Sequence, residues 1–378
     1  MPQGSRYDHS IKTLLREKRS VLIVFLVIFS TIVTLTGGEL AVHLFSKTGY
    51  LTPEILKNKS LQYERSVFAR NAFPQREQKV TINNADIYIN KKGYRGKDFE
   101  VKKPKGIVRI IFYGGSSVFD IEQSEGKDWP HRVETILHEK GYKNVEVINA
   151  GTPANKSFEA WGRLFAEGNF FEPDYVVLSD QYNDTKYFRL DEPILRQYNW
   201  FVDQKDPFIT YQNFFDRFLC EHSQLYVRLR TKYFLWKYKP TDEGAEPPGE
   251  YSDIIYDSGL RQYKLSMETF VDLAKNIKAV PILIIEPRLV ARNNTPKQKK
   301  RINYASPKLT HNALVEALEK TDQIVEQVGS EKKVIVIDAA RELNRVDEYF
   351  VDHVHLSDKG SEQMARIVAN EFISILKK

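Results

Sequence analysis

The stretch Val108-Arg-Ile-Ile-Phe-Tyr-Gly-Gly-Ser-Ser-Val-Phe119 predicts a buried strand that ends abruptly at two glycines. Its first half is a short apolar run rich in β-branched and aromatic residues, as is typical of strands. After Gly114-Gly115 the chain presents two hydroxyls, Ser116 and Ser117. Open α/β sheets carry their chemistry at the carboxyl ends of the strands, so this serine pair is a candidate for catalysis. Taken alone, the pattern also fits a Gly-Ser turn before a helix.

The composition excludes several classes of protein and site. The chain has 378 residues, of which 42% are hydrophobic, enough for a sizeable core. Its net charge is +6, and the first 19 residues carry half of it, so no basic stripe indicates a nucleic-acid partner. The single cysteine, Cys220, excludes an intramolecular disulfide and a cysteine-based zinc site. The scattered histidines lack metal-ligand spacing, and no metal or other cofactor is expected.

A long apolar segment near the N-terminus predicts a membrane anchor. Residues 20–45 follow a basic tail at 1–19 and exceed the roughly 20 residues that span a bilayer. The apolar run is longer than a usual signal-peptide core, which favours an uncleaved anchor over a cleaved signal. The positive-inside rule keeps the basic tail in the cytoplasm and places the chain after residue 46 outside it. One cysteine suits a bacterial envelope protein that does not rely on disulfides.

From residue 107 onward the chain alternates between strand and helix patterns. Such alternation predicts a parallel sheet covered by helices on both faces. The expected strands are Ile107–Tyr113, Val145–Ile148, Tyr175–Leu178, Pro281–Ile285 and Val334–Ile337. The expected organisation is a cytoplasmic tail at 1–19, an anchor at 20–45, a membrane-proximal segment at 46–106 and an α/β domain at 107–378 with an insertion at about 185–255.

The insertion is crowded with aromatic residues among basic ones, and it ends in a polar loop at 241–249. One interpretation is a wall that stacks sugars or faces lipid beside the active site. The other is that the rings form the core of an inserted helical cap.

Five residues near the predicted carboxyl ends of the strands form a possible catalytic set. A serine nucleophile needs a base, an acid that orients the base, and N–H donors for the oxyanion. Ser116 can supply the nucleophile and one backbone donor, and Gly151 and Asn183 can supply further donors. His355 can act as the base, with Asp352 as its orienting acid.

Two of these roles have rivals in the sequence. Ser117 is a second candidate nucleophile, but the Gly-Gly-Ser spacing favours Ser116. His353 is a second candidate base, but it lies one residue from Asp352. A separation of three residues suits an acid and base that share one turn, which favours His355.

The four blocks GGSSVF, INAGTPA, SDQYND and VDHVHLSDKG resemble, in residue type and order, the motifs of the SGNH/GDSL hydrolase family of esterases and lipases. The last block is the most specific, because it matches in spacing and in position near the C-terminus. The resemblance covers about residues 80–378. It implies a flavodoxin-like three-layer α/β/α sandwich of about five parallel strands. It also implies the roles given above for the catalytic and oxyanion residues.

The chain departs from the family pattern at three positions. Gly115 stands where many members carry Asp, a variant associated with membrane-anchored members. Gln181 stands where Gly is usual, which puts the donor role of Asn183 in question. Asp120 stands where a glycine often follows the nucleophile turn.

The expected function is therefore that of a serine ester hydrolase anchored in a bacterial inner membrane, with a periplasmic catalytic domain. Acetyl or other acyl esters of envelope glycans are the expected substrates. Acyl transfer together with a membrane-bound O-acyltransferase is an alternative that the resemblance leaves open. A non-catalytic glycan-binding or assembly module is a second alternative.

Overall fold

The computed structural model describes residues 4–45, 78–82, 85–194, 211–237, 251–344 and 346–377. The chain divides into two compact units, which we call the helical unit and the α/β unit. The helical unit comprises Met1–Leu61 and Asp203–Pro240, and the α/β unit comprises Gln62–Val202 and Thr241–Lys378. Part of the predicted membrane-proximal segment, the polar loop at 241–249 and five of the insertion's aromatic residues lie outside the described residues.

The α/β unit is built on a five-stranded sheet in which every neighbouring pair is parallel. An antiparallel hairpin, β1 and β2, precedes it, and the sheet order is β4-β3-β5-β6-β7. Numbered within the sheet this is 2-1-3-4-5, the flavodoxin-like order. The strands are β1 Gln78–Ile82, β2 Ala85–Ile89, β3 Val108–Gly114, β4 Val145–Gly151, β5 Tyr175–Ser179, β6 Val280–Ile285 and β7 Ile335–Asp338.

Helices cover both faces of this sheet because successive strand residues point to opposite sides. In β3, Ile110 and Phe112 join one core cluster while Ile111 and Tyr113 join the other. The predicted three-layer flavodoxin-like sandwich is thus confirmed. The helices of the α/β unit are α2 Ser116–Phe119, α3 Trp129–Glu139, α4 Ser157–Phe171, α7 Asp257–Asn276, α8 Pro296–Lys299, α9 His311–Lys332, α10 Ala340–Leu343 and α11 Asp358–Leu376, with 3₁₀ turns at Tyr182–Tyr187 and Asp347–Tyr349.

The strand order brings the predicted catalytic blocks to one edge of the sheet. The order reverses at β3, and ligands of open α/β sheets bind at such a switch point. Ser116 follows β3 directly, and the block that contains Asn183 follows β5 next to it.

The helical unit contains α1 Gly4–Phe45, α5 Phe214–His222 and α6 Gln224–Lys237. Within α1, Val21–Phe45 is the one segment of the described residues long and apolar enough to cross a bilayer. The predicted insertion therefore divides between the two units. Its first described aromatics, Tyr187 and Phe188, are buried in the α/β unit, whereas α5 and α6 group with α1.

Candidate active site

Ser116, His355 and Asp352 form a hydrogen-bonded chain at the carboxyl edge of the sheet. The Nε2 atom of His355 lies 2.7 Å from Ser116 Oγ, and its Nδ1 atom lies 2.6 Å from Asp352 Oδ2. A carboxylate can only accept, so Nδ1 carries the proton and Nε2 is left to accept from the serine. Asp352 Oδ1 in turn accepts from the backbone N–H groups of Val354 and His355, at 2.9 and 2.8 Å. The carboxylate is therefore held in place by its own turn.

Burial and charge act on the two histidines of this turn in opposite directions. Burial by itself would lower the pKa of His355. The hydrogen bond to Asp352 and the negative charge of that carboxylate outweigh burial and raise the pKa of His355 above the usual value for histidine. Burial lowers the pKa of His353 to about 4, which keeps that ring neutral. The pKa of Asp352 lies well below its usual range, because the bond and charge of His355 outweigh the effect of burial. Of the two, only His355 contacts a serine.

The sharp turn before Ser116 depends on two glycines. A Cβ atom on Gly114 would lie 2.1 Å from the carbonyl oxygen of Ser179, on the neighbouring strand β5. A Cβ atom on Gly115 would lie 2.5 Å from Nδ2 of Asn183. The loops after β3 and β5 therefore approach more closely than larger residues would allow, and this approach brings Asn183 beside the nucleophile turn.

Asn183 is half-buried and donates one hydrogen bond from Nδ2 to the carbonyl oxygen of Asn155, at 2.7 Å. A side-chain amide has two N–H donors, so this bond uses one and leaves one for a ligand. Gln181 lies in the same loop as Asn183. Its side-chain Nε2 donates to Thr321 Oγ1 at 3.1 Å and to Asp322 Oδ1 at 2.8 Å, which ties the loop to α9.

Gly151, a predicted oxyanion donor, has an acceptor within the protein. Its backbone N–H donates to Asn149 Oδ1 at 2.9 Å, so the single hydrogen of that amide is already bonded inside the sheet. A Cβ atom on Gly151 would lie 2.2 Å from the backbone nitrogen of Phe119. The glycine therefore allows β4 to pack against α2.

A glutamate that sequence reasoning did not assign joins three strand ends. Glu286 directly follows β6, and its carboxylate accepts from the backbone N–H groups of Gln181 and Tyr182, both at 3.2 Å. The same carboxylate accepts from the hydroxyl of Ser117. Ser117 is thereby turned away from the histidine, while Ser116 faces it. A lone Glu after an apolar strand was the only signal in the sequence.

Arg95, from the loop after the hairpin, bonds to the chain segment that follows Ser116 and α2. Its two terminal nitrogens donate to the carbonyl oxygens of Phe119, Asp120, Gln123 and Ser124, at 2.6 to 3.1 Å. The guanidinium is fully buried, so these bonds satisfy most of its donors. The bonds of Arg95 to the carbonyl oxygens of Phe119 and Asp120 hold the chain at the end of α2.

Asp120 takes the left-handed backbone conformation at this point, with φ of 57°. Its carboxyl accepts from the Trp129 backbone N–H at 2.9 Å and from the Ser361 hydroxyl at 2.5 Å. Burial raises its pKa to about 7. Asp120 thus also connects α2 to α3 and α11.

A cavity of about 390 Å³ opens beside His355. Its wall is mainly polar, with Glu122, Lys300, Arg301 and Asn303 among its members. Within the described ranges, no group of three or more His, Cys, Asp or Glu side chains is placed to hold a metal ion.

No protein-family model and no curated protein matches the sequence. Solved structures do match, with low sequence identity. The chain is similar in structure to lipases and acetylxylan esterases. A lipase/acylhydrolase from Enterococcus faecalis is 18% identical, with 70% of this chain and 95% of that chain covered and a TM-score of 0.42. A catalytic mutant of an acetylxylan esterase from Geobacillus stearothermophilus is 14% identical, with 70% and 93% covered and a TM-score of 0.41. At this level of similarity, function has to be argued from the site itself.

Proposed function

We propose that the α/β unit is a serine ester hydrolase of the SGNH type. The observation that carries the proposal is the unbroken chain of contacts from Ser116 through His355 to Asp352. As Ser116 Oγ attacks the ester carbonyl carbon, its proton passes to His355 Nε2. His355 then gives the proton to the departing alcohol, and an acyl-serine remains. Water attacks this acyl-enzyme by the same route and releases the acid.

The negative charge that develops on the carbonyl oxygen needs N–H donors. We assign one to the backbone of Ser116, in the first turn of α2, where helical N–H groups have no partner within the helix. We assign a second to the remaining N–H of Asn183. We assign no oxyanion contact to Gly151, because its backbone N–H donates to Asn149 Oδ1.

The cavity beside His355 supports a polar substrate. Its charged and amide side chains suit the hydroxyls of a sugar better than a long acyl chain. We therefore propose O-acetyl or other short O-acyl esters of bacterial envelope glycans as the substrate class.

The apolar part of α1 supports an anchored enzyme. No residue of Val21–Phe45 is buried, and all but Gly38, Glu39 and Val42 are exposed, as expected of a helix that lipid mostly surrounds. With the basic tail cytoplasmic, the α/β unit lies in the periplasm, on a single-pass protein of the inner membrane.

A covalent probe tests the enzyme directly. We expect a fluorophosphonate to label the full-length chain in detergent, and the label to vanish in Ser116→Ala. Ser117→Ala is the matched control and should still be labelled, because Ser117 bonds to Glu286 rather than to the histidine. A wild-type chain that takes no label and cleaves no short acyl ester would rule out the hydrolase.

The substrate class is tested by a hydrolysis screen. Acetylated glycans and chromogenic esters of increasing acyl length are offered to the wild type and to Ser116→Ala. We expect acetyl release from glycans and a fall in rate with acyl length. Preference for long chains would contradict the glycan assignment. Acetyl transfer to an added oligosaccharide that exceeds hydrolysis would favour the acyltransferase alternative.

A further inference from the structure

Helix α5 carries an apolar stripe that no other part of the described chain covers. Phe214, Phe215 and Phe218 are 73%, 72% and 48% exposed. The opposite face of the helix presents Asp216 and Cys220, which are both buried. Three exposed phenylalanines on one face of a nine-residue helix are unusual for a surface in water, where such patches mark an interaction site.

Helix α6 repeats the arrangement. Leu229, Tyr233 and Trp236 are spaced four and three residues apart, so they share one face, and they are 55%, 49% and 69% exposed. Val227 and Arg230 lie on the other side and are buried. Most of the aromatic rings that the structure describes in α5 and α6 therefore point outward.

A buried ion pair joins the two helices. Asp216 of α5 accepts from Nε and Nη2 of Arg230 in α6, at 2.7 and 2.9 Å, and from the hydroxyl of Tyr226, at 2.8 Å. The carboxylate and the guanidinium are almost completely buried. A buried, bidentate pair of this kind fixes the geometry of its partners, so α5 and α6 keep a defined relative orientation.

The start of α6 is attached to α1. The Glu39 carboxylate of α1 accepts from the backbone N–H groups of Gln224 and Leu225, at 2.7 and 3.0 Å, and from the Ser223 hydroxyl, at 2.7 Å. At 1.5 Å per residue, Glu39 lies about 27 Å along the helix from Val21. The hydrocarbon core of a bilayer is about 30 Å thick. In a spanning α1, Glu39 and the first turn of α6 therefore lie at the boundary of the lipid.

We propose that α5 and α6 lie in the interfacial layer of the membrane, in the leaflet opposite the N-terminal tail, with their two stripes against the acyl chains. The proposal rests on α1 spanning the bilayer, as in the proposed function. Trp and Tyr favour this layer because their rings are apolar with a polar edge. Exposed cations on the same helices, Arg217, Lys232 and Lys237, suit anionic headgroups.

Nitroxide labels report depth in the membrane. The full-length chain, with Cys220→Ala to remove its own cysteine, carries one label at Phe215→Cys or at Tyr233→Cys. It is reconstituted in vesicles of phosphatidylethanolamine and phosphatidylglycerol. Val27→Cys, within the apolar part of α1, is the lipid control, and the exposed Glu139→Cys on α3 is the water control. Power saturation with oxygen and with a water-soluble nickel complex is measured for each.

At residues 215 and 233 we expect oxygen accessibility to exceed that of nickel, at a depth of about 5–10 Å, between the two controls. If both labels behave like residue 139 while residue 27 reports lipid, the interfacial position is wrong although the anchor stands. If residue 27 also reports water, the anchor itself fails. Labels shielded from both reagents would show that a second copy or another protein covers the stripes, which also overturns the proposal. Fluorophosphonate labelling of Ser116 is independent of all three results.

Discussion

His353 and His355 lie two residues apart, yet their surroundings shift their pKa values in opposite directions. A general base accepts a proton only when it is neutral. The activity should therefore fall as the pH drops through the pKa of His355, which its bond to Asp352 raises. We expect the acid limb of kcat/KM to have its midpoint above about 6.5, the ordinary value for histidine. A pH–rate profile with a short acyl ester measures it.

Asp352→Asn provides the control for this assignment. Without the negative charge, the pKa of His355 should fall, and the acid limb should move to lower pH. The plateau should drop by roughly 10²–10⁴-fold, because the base loses its orienting partner. His353→Asn should leave the midpoint in place. A midpoint of the acid limb that moves in His353→Asn but not in Asp352→Asn would contradict our choice of base.

Gly115 and Asn183 are close enough for their substitutions to be coupled. The backbone of Gly115, at φ of −85°, suits any residue, so Gly115→Ala disturbs only its neighbours. The nearest of these is Asn183 Nδ2, 2.5 Å from the new methyl group. We expect Gly115→Ala to lower kcat, and Asn183→Ala to lower it about 10²–10³-fold through the lost oxyanion donor.

A double-mutant cycle tests this coupling. Once Asn183 is truncated, the methyl group at 115 has nothing to displace, so the double variant should be no slower than Asn183→Ala alone. Additive losses would show that Gly115 acts through another group. Thermal unfolding of all four proteins separates loss of activity from loss of fold.

Spacing in the sequence predicts which side chains meet, but not where a backbone N–H points. Ser116 and His355 were found because a nucleophile turn and a C-terminal Asp-x-x-His block have recognisable spacing. The sequence predicts Gly151 as a further donor, and only the folded structure shows that Asn149 Oδ1 accepts from its amide. Burial of His353 likewise emerges only from packing.

At the scale of elements, the strands were predictable because each is a short apolar run, and all five were placed within three residues of their observed ends. Helix α4 was not predicted. Glu159 and Arg163 occupy two of its buried positions, so the buried face of the helix does not show as a regular spacing of apolar residues. Arg163 can be buried because its guanidinium donates to Ala150 O and Thr152 Oγ1, at 3.0 and 2.9 Å. These acceptors lie in β4 and just after it, so the sequence of α4 alone does not reveal them.

Glu286 sets the relative position of the loops after β3, β5 and β6. Glu286→Gln keeps the side-chain shape but replaces one acceptor oxygen with an NH₂ donor. The amide can therefore no longer accept from both Ser117 and the two backbone N–H groups. We expect kcat to fall roughly 10–100-fold, because Asn183 shifts relative to Ser116. KM should change little, since Glu286 is buried. Steady-state kinetics with a short acyl ester measures both constants.

The matched control for this effect is Glu326→Gln, an exposed residue of α9. It should leave both kinetic constants unchanged. Equal losses of kcat and of fluorophosphonate labelling rate in Glu286→Gln would support a shifted nucleophile turn. A change in KM alone would contradict the positioning role.

At the scale of the whole molecule, helix α1 and the bonded residues Ser116, His355 and Asp352 belong to separate compact units. The aromatic insertion showed the limit of prediction here. Among its described rings some are buried and others are exposed, and composition cannot distinguish the two. The bonds of Glu39 to residues 223–225 join segments far apart in the sequence, so no local pattern revealed that α6 packs on α1.

If α1 spans the membrane, its orientation decides which compartment Ser116 faces. Five basic residues against two acidic ones in the first 19 positions should hold the N-terminus in the cytoplasm. Protease added to spheroplasts should therefore digest the α/β unit, and inverted vesicles should protect it. Replacing Lys12, Arg16, Lys18 and Arg19 with Gln should lower the fraction digested in spheroplasts, whereas Lys12→Arg with Lys18→Arg should leave it unchanged. Protection in spheroplasts of the wild-type chain would place the site in the cytoplasm, where envelope glycans outside the membrane cannot reach it.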